Sequence, residues 1–176
     1  MIPFYSLHVV KQYSPFLGCQ IDLPFRILLL SDGSLTRHLQ IFLGSSIQIQ
    51  ILRTGIAQLT DYHGNFIYSQ IHYPQISRQT CLVTEKNVKV VYANSIWNKD
   101  ILQKYCTNPN IPIGNWLIES ELDIFRYLYK IEYIYSSHLE EYFDCEGPFW
   151  SRYYFLIHNG NILASIQEVF SSRLKI

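Results

Sequence analysis

Asn161-Ile162-Leu163-Ala164-Ser165-Ile166-Gln167-Glu168-Val169-Phe170 reads as a β-strand. Successive side chains of a strand point to opposite faces. One face then carries Ile162, Ala164, Ile166, Glu168 and Phe170; the other carries Leu163, Ser165, Gln167 and Val169. Glu168 falls in register with the more apolar face. An acid placed there must find a cationic partner or hold its proton, which makes it a functional-site candidate. A rim glutamate, where the strand leaves the core, satisfies the same pattern. Just upstream, Asn159-Gly160 is a two-residue hairpin turn, and residues 151–158 form the partner strand. The C-terminal sheet is therefore expected to be antiparallel.

Working back from that hairpin, residues 126–135 form an aromatic strand whose Tyr127, Tyr129, Ile131, Tyr133 and Tyr135 share one face by alternation. Residues 138–143 read as a short helix, and Gly147-Pro148-Phe149-Trp150 as a turn. Residues 78–84 and 88–95 form a second hairpin about Lys86-Asn87, with Arg78 at its start. A guanidinium at a strand mouth suits two-pronged capture of a carboxylate, though the same position fits a surface residue. Residues 47–53 alternate, placing Arg53 in register with Ile47, Ile49 and Ile51; a salt bridge, a strand exit or a ligand each accounts for that charge. The clearest helix follows the turn and N-cap Ser31-Asp32-Gly33-Ser34. Leu35, Leu39, Phe42 and Leu43 make its buried stripe and Gly44 its stop. Leu35 faces either the core or a cavity. Residues 97–106 and, loosely, 6–13 read as short helices, and residues 61–75 as a loop or hairpin excursion. Pro109 and Pro112 rule out a regular strand through the loop that leads to a short helix near Gly114, and Ile113 there suits a lid. The plan is α+β: one domain, residues 1–176, with an antiparallel sheet and short helices packed against it.

Composition narrows the function classes. The 176 residues are 48% apolar and 16% charged, which fits a packed core and excludes disorder. Fourteen basic residues balance fourteen acidic ones, with no basic block for phosphate backbones. No apolar run reaches the length of a membrane span, and residues 1–12 resemble neither a signal nor a transit peptide. Cys19, Cys81, Cys106 and Cys145 are scattered without a CxxC pair, so buried free thiols are expected. GxGxxG, P-loop, HExxH and GxSxG signatures are lacking, and the histidines have no metal-ligand spacing. One Glu in an apolar register and two Arg at strand ends suit a small anionic ligand in a mostly apolar pocket.

Five strings in order resemble one family. Leu30-Ser31-Asp32-Gly33-Ser34-Leu35-Thr36-Arg37 resembles the L-x-D-x-S-M/L-T-K/R helix entry of chorismate pyruvate-lyases. Arg78-Gln79-Thr80 with Leu82 resembles their R-x-V-x-L strand, and Pro112-Ile113-Gly114 their P-L/I-G turn. Trp150-Ser151-Arg152 and Glu168-Val169-Phe170 resemble W-x-R and E-V/L-F. Within the family the likeness runs to the cyanobacterial and plastid-encoded branch, hypothetical chloroplast reading frames of red algae included. The resemblance implies a chorismate lyase-like fold and cleavage of chorismate to 4-hydroxybenzoate and pyruvate for quinone synthesis, without metal or organic cofactor. It implies a site of Leu35, Arg78, Ile113 and Glu168. In it Arg78 takes the ring carboxylate, Glu168 takes the 4-hydroxyl, and the two apolar residues close over the ring. Leu35 and Ile113 depart from the Met and Leu of bacterial members, which touches affinity more than reaction class. Arg53 and Arg152 are secondary candidates, for a carboxylate or for Glu168. The expected setting is a monomer in the plastid stroma if plastid-encoded, otherwise the cytoplasm, with no nucleic-acid partner. A non-catalytic sensor is the competing class, since effector domains of bacterial transcription regulators share this fold; a degenerate structural relative is disfavoured because Arg78 and Glu168 are both present.

Overall fold

Asn159 and Gly160 both have positive φ, 48° and 74°. That is the backbone pair a type I′ hairpin turn requires. The computed structural model describes residues 8–10, 23–57, 70–105 and 123–174. In chain order its elements are β1 (His8–Val10), α1 (Leu23–Leu30), α2 (Leu35–Leu43), β2 (Ile47–Ile56), β3 (Gln75–Thr84), β4 (Lys89–Asn98), α3 (Lys99–Tyr105), β5 (Phe125–Ile134), α4 (Ser137–Phe143), β6 (Phe149–His158) and β7 (Asn161–Phe170). The strands form one antiparallel sheet in the order β1-β5-β6-β7-β4-β3-β2. The α+β architecture expected from the sequence is the one observed.

α2 forms for the reasons its sequence states. The Ser34 side chain accepts from the Arg37 amide, Gly44 closes the helix at φ 59°, and Leu35 and Leu39 are buried. Together α1 and α2 cover one face of the sheet: Phe25, Leu28, Leu29, Leu35 and Leu39 pack on Leu82, Val91, Ile131 and Phe170. α4 covers the opposite face, with Leu139 and Phe143 against Tyr92, Phe149 and Val169. Cys81 and Cys145 are free thiols, the first buried and the second half-buried; Cys19 and Cys106 lie outside the described residues.

Bulges change several strand expectations. Between β6 and β7, Leu156 faces Ala164 while Ile157 faces Ile162, so Leu163 is an extra residue. It moves Ile162 off the face of Ala164, Ile166 and Glu168; Ile162 packs instead near Tyr153 and Phe155. An extra Tyr129 in β5 likewise divides the tyrosine stripe. Tyr127 faces Phe155 on one side of the sheet, whereas Ile131 faces Arg152 and Tyr133 faces Trp150 on the other. An extra Leu52 in β2 pairs Arg53 with Gln79 and leaves it exposed, out of the Ile47–Ile49–Ile51 register. Two helix expectations also shift. His8–Val10 pairs with β5 as a strand, the long-range ladder overriding a weak local pattern. Trp97 and Asn98 stay in β4, because Trp97 packs fully buried between Ile76 and Ala164.

Deleting Leu163 leaves Ile157 facing Ile162, Leu156 facing Ala164 and Arg152 facing Glu168. Urea unfolding is therefore expected to show the loss of one buried leucine, about 2–5 kcal/mol, with the ion pair retained.

Candidate functional site

The helix-covered face of the sheet carries side chains in cross-strand rows. One row runs Trp97, Ala164, Leu156, Arg126. The next runs Arg78, Ser95, Ile166, Tyr154, Leu128, and the third Thr80, Ala93, Glu168, Arg152, Ile131. Arg78 and Glu168 are therefore two strands and one row apart, about 12 Å between Cα atoms from standard sheet spacings.

Glu168 is 6% exposed and Arg152 2% exposed, and they are ion-paired. Arg152 Nε donates to Glu168 Oε2 at 2.6 Å. Arg152 Nη1 donates to the carbonyls of Leu28, Leu29 and Ser31 at 2.7, 3.2 and 2.9 Å. These are acceptors at the C-terminal end of α1, where the helix leaves carbonyls open and its dipole is negative. The guanidinium carbon also lies 5.4 Å from the Tyr154 ring centre and 5.6 Å from that of Phe170. The second oxygen of Glu168 accepts from the Tyr154 hydroxyl at 2.8 Å. Burial pushes the Tyr154 phenol well above its ordinary value, and the neighbouring Glu168 carboxylate raises it further. The hydroxyl thus keeps its proton and donates. Of the two routes open to an acid in an apolar register, the structure takes the cationic partner.

Beside this pair lies a cavity of about 130 Å³ whose walls include Leu35, Arg78, Thr80, Ser95, Trp97 and Glu168. Leu35 reaches it from the first turn of α2, and Arg78 is 4% exposed on β3. The structure thus brings Leu35, Arg78 and Glu168 together. Ile113, with Pro112 and Gly114, lies outside the described residues. Arg152 is the partner of Glu168, whereas Arg53 is turned to the other side of the sheet. Tyr154 and Arg126 also line the cavity and were not singled out from sequence. Tyr154 had a signal, since it is two residues from Arg152 on the same strand and so shares its face. Arg126 had none, because β5 approaches the site only through the sheet order. Its Nη1 donates to the Gly33 carbonyl at 2.8 Å, and its guanidinium carbon sits 5.6 Å from the Tyr154 ring centre. Among the described residues, no group of three or more His, Cys, Asp or Glu is placed to hold a metal ion, and no helix is long and apolar enough to cross a membrane.

This sheet, with its helix-covered cavity, is a chorismate lyase-like fold. The effector domain of PhnF from Mycobacterium smegmatis shares it, with a TM-score of 0.57 at 9% identity over 82% of this chain and 91% of that one. The family model described as "Chorismate pyruvate-lyase Rv2949c-like" matches residues 29–176, and the chain belongs to that family. Sequence relatives include the ycf21 protein of Pyropia yezoensis, 33% identical over 99% of this chain and 95% of the relative. The ycf21 protein of Porphyra purpurea is 35% identical over 88% of this chain and 84% of its own length.

Replacing Arg152 by Met is expected to lower stability by about 3–5 kcal/mol in urea unfolding, because Glu168 and three carbonyls lose their donor together. The raised Tyr154 phenol sets an alkaline limit. Its contribution is complete below pH 10.0, the ordinary value, and declines above it because the unfolded chain releases a proton that the folded one retains. Unfolding free energy is expected to fall above pH 10 by about 1.4 kcal/mol per pH unit from this group, and Tyr154→Phe to flatten that slope.

Proposed function

We propose that this chain is a chorismate pyruvate-lyase, forming 4-hydroxybenzoate and pyruvate. The observation that carries the reading is the placement of Arg78 and Glu168 on the wall of one mostly apolar cavity, two strands and one row apart. Family membership supports it. Arg78 pairs with the ring carboxylate through a two-pronged contact. Glu168, held in position by Arg152 and Tyr154, accepts from the ring 4-hydroxyl. Leu35 from α2 closes over the ring and excludes water, and Ile113 is assigned the same apolar role on the family resemblance.

The reaction needs little more than this. The C3–O bond breaks, its electron pair leaves with the enolpyruvyl oxygen, and C4 loses its hydrogen as the ring becomes aromatic. The enol fragment gains one hydrogen and ends as pyruvate, so atoms and electrons balance without a cofactor. Fixing the C3–O bond and the C4–H bond in the geometry for loss is the work of the site, and orientation of this kind lowers barriers substantially. The proposed setting is the plastid stroma, supported by relatives that are ycf21 proteins of red algae. There the chain acts as a monomer, and its product feeds quinone synthesis.

Purified protein incubated with chorismate is expected to release 4-hydroxybenzoate and pyruvate in equal amounts. Arg78→Ala is expected to weaken 4-hydroxybenzoate binding by about 2–5 kcal/mol, and Glu168→Ala to abolish most turnover. Full activity in either variant would contradict the assignment. Tight 4-hydroxybenzoate binding with no turnover would instead mark a sensor, the role suggested by the PhnF effector domain.

A further inference from the structure

The cavity beside Glu168 is not the only one at this site. A second cavity, of about 440 Å³, has walls that include Ser31, Asp32, Phe125, Arg126, Arg152 and Tyr154. Arg126 and Tyr154 line both cavities, so they stand at the junction. The larger space offers two guanidinium groups, and they differ in how far they are committed. Arg152 is occupied by Glu168 and by three carbonyls of the α1 end. Arg126 is half-buried and gives one hydrogen bond, from Nη1 to the Gly33 carbonyl; no carboxylate among the described residues pairs with it. Asp32 is on the same wall but is exposed, where water screens its charge.

We infer that Arg126 selects for substrates that carry a second carboxylate, by binding the acid of the ether-linked side chain next to the ring hydroxyl. The inference rests on the reading in the preceding section and extends it. Chorismate is a dicarboxylate. Its ring acid lies across the ring from the 4-hydroxyl, and its three-carbon enolpyruvyl acid is attached at the neighbouring carbon. With the hydroxyl at Glu168, that side chain lies beside Tyr154, the donor to Glu168 and the ring over which Arg126 sits. The side chain's acid then meets Arg126 at the junction, and the larger cavity beyond gives the released three-carbon acid room to depart. A guanidinium suits this role, because its fork matches a carboxylate while the bond to Gly33 fixes one arm. Arg126 is a specificity-determining and positioning residue, distinct from the pair assigned to the ring.

The test compares two ligands in calorimetry with the full chain. One is 4-hydroxybenzoate. The other is 3-(carboxymethoxy)-4-hydroxybenzoate, which adds an ether-linked acid at the neighbouring ring position. Wild type is expected to bind the diacid about tenfold more tightly, and Arg126→Ala to abolish that preference while leaving 4-hydroxybenzoate affinity within about threefold. Arg126→Lys is expected to restore part of it. With chorismate, Arg126→Ala is expected to raise KM about tenfold with a smaller change in kcat, as for an interaction present in the bound substrate. Equal weakening of both ligands, or an unchanged preference for the diacid, would overturn the role of Arg126 while the lyase reading stands. Failure of wild type to bind 4-hydroxybenzoate at all would overturn the lyase reading, and this inference with it.

Discussion

A guanidinium sealed from water is the constraint on which the rest of this site depends. Removing an arginine side chain from water costs several kcal/mol even after relaxation, so the fold must return that energy through contacts. Arg152 receives a carboxylate from β7, three carbonyls from the end of α1 and two aromatic faces. Those contacts come from three separate parts of the chain. The pair therefore does more than neutralise a charge. It locks the end of α1 onto β6 and β7, and with it the turn that starts α2 and delivers Leu35 to the cavity.

Glu168 gains orientation from the same arrangement. One oxygen is engaged by Arg152 and the other by Tyr154, whose phenol burial keeps protonated. A carboxylate held at both oxygens has little rotational freedom, and a hydrogen-bonding partner entering the cavity meets it pre-oriented. The surrounding wall is largely apolar, with Leu82, Trp97, Leu156 and Ile166 contributing, so water competes poorly there and polar contacts made inside gain strength. The effector domain of PhnF is built on the same fold. The fold alone does not decide between catalysis and sensing; the side chains do.

Much of the architecture was legible in the residues themselves. The Asn159-Gly160 turn, the capped and glycine-stopped α2 and the second hairpin are local signals, each fixed by the chemistry of a few neighbouring positions. The placing of Glu168 among apolar neighbours was also local, since alternation from Ala164 to Phe170 runs without interruption. Alternation failed at the bulges of Leu52, Tyr129 and Leu163. A bulge depends on the pairing of two strands, and no periodicity within one strand announces it.

Residue pattern alone left Glu168 with a cationic partner, a retained proton or a place at the rim, and offered an arginine at a strand mouth and a leucine at a helix start as candidates to share its pocket. Only the tertiary structure decided which arginine answered. By direct counting back from the hairpin turn, Arg152 stands opposite Gln167 and points away from Glu168. The extra Leu163 shifts the ladder by one residue and brings the two charges onto the same face. The choice belongs to the fully buried packing of Leu156 and Ala164 across the ladder, against Trp97. It is a long-range contact among three strands, and it carries the functional charge with it.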